Sequence, residues 1–134
     1  LFKDLILMDI NTIVKKANLA QLKISKLTDE KINNILNDFL DFILSNKINK
    51  ELSMMAVQET GFGNFKDKME KNVRKSRNLL KDLKKINLDK PLINKSQSLI
   101  EYFKPIGIIG GVTPSTNPIA TTINYFLNSL KCFS

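Results

Sequence analysis

Residues 105–124, Pro-Ile-Gly-Ile-Ile-Gly-Gly-Val-Thr-Pro-Ser-Thr-Asn-Pro-Ile-Ala-Thr-Thr-Ile-Asn, constrain the fold more than any other stretch of the chain. Ile106, Ile108, Ile109 and Val112, interrupted by Gly107, Gly110 and Gly111, have the character of a strand covered on both faces, with glycines that let another backbone come close. A polar turn over 113–116 follows. Asn117 then stands where an N-cap side chain accepts from the first free amides of a helix, and Pro118 where a missing N–H costs nothing. Strand, turn and helix start in this order read as part of a nucleotide site in an α/β fold. Such a fold needs further strand-helix-strand units of about 30 residues each, and the sequence ends at Ser134 before another fits, so the chain is expected to be a fragment.

Upstream the pattern is helical. Ile13, Val14, Ala17, Leu19, Ala20 and Leu22 recur at helical spacing over 11–25, with Asn11 or Thr12 as cap. Thr28 offers the next cap, and Asp29 and Glu30 place negative charge on the positive end of a second helix that runs to 45. Its apolar face carries Ile32, Ile35, Leu36, Phe39, Leu40, Ile43 and Leu44. A third helix, 47–60, presents Ile48, Leu52, Met55, Ala56 and Glu59 and closes on Gly61, which is free to adopt the left-handed conformation past a helix end. Glu59 reads as a polar group of the last turn rather than a general base, since no His, Lys or second carboxylate is placed to tune it. A fourth helix, 65–86, sets Phe65, Met69, Val73, Leu80 and Leu83 opposite a basic face. Pro91 and the polar 94–97 mark a connector, and 98–104 reads as a strand. The expected class is α/β, with 1–90 mainly helical and 91–134 holding strands, the Pro-rich turn and a helix.

Composition narrows the function. Apolar and charged fractions of 43% and 25% fit a soluble globular protein, and no stretch reaches the roughly 18 apolar residues of a membrane span. The opening ten residues hold Asp4 and Asp9 and lack a basic lead-in, which argues against a signal peptide. One cysteine and no histidine exclude a disulfide framework and a Cys/His metal site, and make a reducing, cytoplasmic setting the default. The formal charge of +8 is concentrated over 65–85, where nine Lys or Arg face three acids. A helix of that kind could bind nucleic acid or another anion with a steep salt dependence. A solvated outer face is the preferred reading, because no aromatic residues interleave with the charges. Gly107, Gly110 and Gly111 lack the Gly-x-Gly-x-x-Gly spacing of a dinucleotide fingerprint.

Two segments together resemble one family. Met55-Ala56-Val57-Gln58-Glu59-Thr60-Gly61-Phe62-Gly63, followed by Asp67-Lys68 and Lys71-Asn72, is similar to the helix and turn that precede the cofactor strand of aldehyde dehydrogenases. Lys104-Pro105-Ile106-Gly107 through Thr113-Pro114-Ser115-Thr116-Asn117-Pro118 is similar to the strand and turn of the CoA-acylating branch, which includes acetaldehyde, propionaldehyde and bifunctional aldehyde-alcohol dehydrogenases. The resemblance spans 11–131. It implies a Rossmann-type cofactor-binding domain, here incomplete and without its catalytic domain. It also implies oxidation of a small aldehyde to acyl-CoA through a cysteine thioester, with NAD or NADP as cofactor and CoA as co-substrate, in a homo-oligomer. By the same resemblance Thr113, Pro114, Ser115 and Thr116 line the nicotinamide side of the cleft, and Asn117 offers its amide to the oxyanion. A preorganised donor in that role is worth about 3 to 4 kcal/mol. Hydrolytic members read Pro-Trp-Asn-aromatic-Pro, so an ungapped alignment sets Thr116 at the asparagine position. Cys132 reads as an ordinary thiol, since the family's nucleophile comes much later in sequence, and the fragment alone is expected to be inactive.

Overall fold

A computed structural model of the chain describes residues 9–133; the apolar opening over 1–8 and Ser134 lie outside the described residues. The elements are α1 (Ile10–Ile24), α2 (Asp29–Ile43), α3 (Asn46–Thr60), α4 (Phe65–Leu83), β1 (Leu92–Asn94), β2 (Leu99–Glu101) and α5 (Pro118–Lys131). The described residues are therefore mostly helical, with one two-stranded sheet.

The core forms where α2, α4 and α5 meet. Ile32, Leu36 and Leu40, spaced four apart on α2, are fully buried against Leu80 of α4 and Ile123, Leu127 and Leu130 of α5. Burial of each such side chain contributes about 1.5–3 kcal/mol, so this cluster is what fixes α5 in place. Phe39 and Phe126 add a ring pair with centroids 4.0 Å apart. The Thr28 side chain accepts from the Lys31 amide as expected of a cap, and Asp29 and Glu30 occupy the first turn. α1 is capped at Asp9 rather than at Asn11 or Thr12, and none of its residues is buried. It is tied down at its end by Gln21, whose Nε2 donates to the Phe133 carbonyl at 3.0 Å.

The packing of α3 on α4 departs from the apolar stripes expected for both helices. Met55 and Val73 are exposed, and Asn49 and Ser53 of α3 face Asn72 and Ser76 of α4 in the interior. Asn72 Nδ2 donates to Asn49 Oδ1 at 2.9 Å and to Ser53 Oγ at 3.2 Å, and Asn49 Nδ2 donates to the Met69 carbonyl at 3.1 Å. Each buried amide has found partners, which is the condition under which polar groups survive desolvation.

A second polar link crosses the core. Lys131, at the C-terminal end of α5, is 2% exposed and its Nζ lies 2.5 Å from Asp29 Oδ1 at the N-terminal end of α2. Both charges sit at the helix end whose dipole favours them. Asn33 binds both, accepting from Lys131 at 3.0 Å and donating to Asp29 Oδ2 at 2.8 Å.

The strand expectations need correction. β1 and β2 pair antiparallel, Ile93 opposite Ile100; of the strand expected over 98–104 only 99–101 forms, and residues 95–98 are the turn of a hairpin where a connector was expected. Residues 105–112 form no strand: Ile106 is 82% and Val112 87% exposed. A strand needs a neighbouring strand to receive its backbone hydrogen bonds, and the sheet among the described residues holds β1 and β2 alone. One close approach does hold it. A Cβ on Gly111 would stand 2.7 Å from the ring of Tyr125 in α5, whose hydroxyl donates to the Val112 carbonyl at 3.0 Å.

Candidate cofactor-turn site

The two segments singled out in the sequence are brought together. α3 ends on Gly61 at φ +66°, with the Gly61 amide donating to the Val57 carbonyl. Thr60 Oγ1 donates to the Ala56 carbonyl at 2.6 Å and accepts from the Phe62 amide at 3.2 Å, closing the turn. Asn64 then caps α4 by accepting from the Asp67 amide at 2.9 Å. This sets Lys68 and Lys71, three residues apart, on one face of the first turns of α4. That face meets the turn 113–117.

Lys68 Nζ donates to the Thr116 carbonyl at 3.2 Å, and Lys71 Nζ donates to Asn117 Oδ1 at 2.8 Å. The sequence reading of Asn117 as a side-chain cap is thereby overturned. Asn117 precedes α5 and its carbonyl accepts from the Thr121 amide, but its side chain caps nothing and is taken by Lys71. A charged donor wins over a neutral backbone amide because charge-assisted hydrogen bonds are about twice as strong. Pro118 does occupy the first helical position.

An open groove of about 230 Å³ runs between the two segments, lined by Phe62, Gly63, Asn64, Asp67, Lys68, Lys71, Thr116 and Asn117. Thr113, Pro114, Ser115 and Thr116 are exposed beside it, and Asn117 and both lysines are half-buried. Hydroxyls at 113, 115 and 116, with the free first-turn amides of α5, make a wall rich in donors. The chemistry of that wall could hold hydrogen-bond acceptors such as the polar part of a dinucleotide. Glu59 is exposed on the last turn of α3. Cys132 is exposed just past α5. Among the described residues no three His, Cys, Asp or Glu side chains are grouped to hold a metal.

Sequence reasoning missed the clamp formed by Lys68 and Lys71. The signal was their spacing of three in the quoted motif, which places both on one helix face, but their acceptors lie 48 and 46 residues away. Of the nine basic residues over 65–85, five are engaged within the chain. Besides these two, Arg77 pairs with Asp41, Lys84 donates to Asn37 and Lys85 pairs with Asp82, each at 2.6 Å. Lys85 holds the Asp82 carboxyl below the usual carboxylate range.

The chain is 32% identical over 121 residues, 90% of its own length, to the sulfoacetaldehyde dehydrogenase (acylating) of Cupriavidus necator, and covers 24% of that protein. It is 32% identical over 126 residues to the bifunctional aldehyde-alcohol dehydrogenase of Escherichia coli, covering 92% of this chain and 14% of that one. A solved structure, a probable aldehyde dehydrogenase from Listeria monocytogenes, superposes with a TM-score of 0.80 at 30% identity over 92% of this chain and 27% of its own. The homologues of this chain are acylating aldehyde dehydrogenases, and it corresponds to a part of their length. It spans about a quarter of the length of the first of these relatives, and its helices and hairpin match the aldehyde dehydrogenase fold. No protein-family model matches it. No helix among the described residues is long and apolar enough to cross a membrane.

Proposed function

We propose that residues 1–134 form the N-terminal part of the NAD(P)-binding domain of a CoA-acylating aldehyde dehydrogenase and carry one wall of its cofactor cleft. The observation that supports this best is the docking of the Gly61 turn and α4 onto the turn 113–117 by Lys68 and Lys71. It joins the two segments that carry the family resemblance, in a fold shared with an aldehyde dehydrogenase.

In this reading Thr113, Pro114, Ser115 and Thr116 line the nicotinamide side. The cofactor, NAD or NADP, supplies the hydride acceptor. Asn117 Nδ2 is the donor aimed at the oxyanion that forms when a cysteine thiolate attacks the aldehyde, and CoA takes the acyl group. Residues 106–112 join a Rossmann-type sheet once parallel neighbours are supplied, which accounts for apolar side chains left in water by this chain alone. The nucleophile lies outside these residues. Cys132 sits at the end of α5, far along the helix from the turn, and the chain alone is inactive. The complete enzyme is a cytoplasmic homo-oligomer acting on a small aldehyde.

The test is to join the chain at Ser134 to the downstream three quarters of the Cupriavidus necator relative and measure NADH formation that requires both aldehyde and CoA. Turnover with both is expected. A soluble hybrid that forms no NADH across a panel of short aldehydes, sulfoacetaldehyde included, overturns the proposal.

A further inference from the structure

We infer that Lys71 is a positioning residue, which fixes and polarises the Asn117 amide so that its nitrogen faces the reacting centre. The inference rests on the oxyanion role proposed for Asn117. A lysine ammonium has three donors and no acceptor, so its contact with Asn117 can be made only to the amide oxygen. The 2.8 Å bond therefore settles which way the amide is turned. Asn117 Nδ2 donates to no described residue and is left for a ligand. Contact with a cation also draws electron density from the amide and makes its N–H groups stronger donors.

The geometry is built rather than incidental. Lys71 is half-buried, and its backbone is set by the Asn64 cap two turns below and by the buried Asn72 beside it, whose amide is bonded to Asn49 and Ser53. Asn117 is held from the other side by the start of α5 and by the Lys68 bond to the preceding carbonyl. A side chain free to rotate would offer its nitrogen only part of the time, and a donor fixed in advance needs no reorganisation when charge develops. The i,i+3 pair thus divides the work: Lys68 fixes the peptide and Lys71 fixes the amide.

The experiment measures the burst of NADH that reports acyl-enzyme formation, in the hybrid enzyme described above. Asn117→Ala is expected to slow the burst 100-fold or more. Lys71→Met is expected to slow it about 10-fold with the aldehyde KM within twofold of the parent, and Lys71→Arg to recover most of that loss. The double variant should be no slower than Asn117→Ala alone, since Lys71 acts through Asn117. A Lys71→Met burst at the parent rate, or a double variant as slow as the product of the two singles, overturns the inference and leaves the oxyanion assignment standing. An Asn117→Ala burst at the parent rate removes that assignment and the inference with it. If the hybrid is insoluble, the side-chain amide resonances of Asn117 are followed in the 134-residue chain. Lys71→Met must shift that pair while leaving those of Asn128 in place, and an unmoved pair refutes the contact.

Discussion

Replacing Lys131 by Met removes one charge from a pair that the fold has dehydrated. The Asp29 carboxylate stays behind with a side-chain exposure of 6%. It keeps the Asn33 amide at 2.8 Å and the Leu88 backbone amide at 3.3 Å, and these two neutral donors do not replace a cation. Stranding a buried charge in this way costs about 3–5 kcal/mol. For a chain of this size each kcal/mol moves the melting temperature by about 3–5 °C, so Lys131→Met is expected to melt about 10–20 °C below the parent when helix content is followed by circular dichroism. The double variant Asp29→Asn/Lys131→Met separates charge from shape. Asn at 29 keeps an acceptor for the Leu88 amide, and its new amide nitrogen can donate to the Asn33 oxygen once the Asn33 amide, no longer held by Lys131, turns over, so the double variant should regain at least half of the loss. A Lys131→Met melt within about 3 °C of the parent, or a double variant that melts below the single, refutes the view that Lys131 is held in the core by Asp29.

Three further outcomes follow from the packing. Asn72→Ala deprives Asn49 Oδ1 and Ser53 Oγ of a shared donor and should cost about 1–3 kcal/mol in a urea melt; no change would mean the α3–α4 polar contact is solvated. Gly111→Ala drives a Cβ into the Tyr125 ring, with an expected loss of about 1–3 kcal/mol that Tyr125→Ala should abolish, so an equal loss in both backgrounds refutes the clash. Val112→Lys, at a position 87% exposed, should leave the melting temperature of the 134-residue chain unchanged and reduce its self-association in sedimentation. The same change in the hybrid enzyme should abolish folding if 106–112 enters a sheet, and an active hybrid carrying it would refute the sheet.

How far the sequence is legible depends on how far a residue must reach for its partner. Thr28, Gly61 and Asn64 act within a few residues of themselves, and the helices they bound lie within three residues of the periodicity that predicts them. The misreadings come where partners are distant. Asn49, Ser53, Asn72 and Ser76 break the rule that helices bury their apolar stripe, and they can do so because each faces the other across α3 and α4; the clue was that both sets repeat every four residues. Lys131 and Asp29 are 102 residues apart and carry no mark of each other in sequence. The reverse violation, apolar residues in water over 92–112, has a different cause. Buried side-chain polar groups all find partners among the described residues, whereas the side chains of Ile106, Ile109 and Val112 stay exposed. The strand-like composition of 106–112 is therefore not matched by a sheet among the described residues. At the site, the chain holds Lys68, Lys71 and Asn117 together, so the contact that orients the Asn117 amide is already made here.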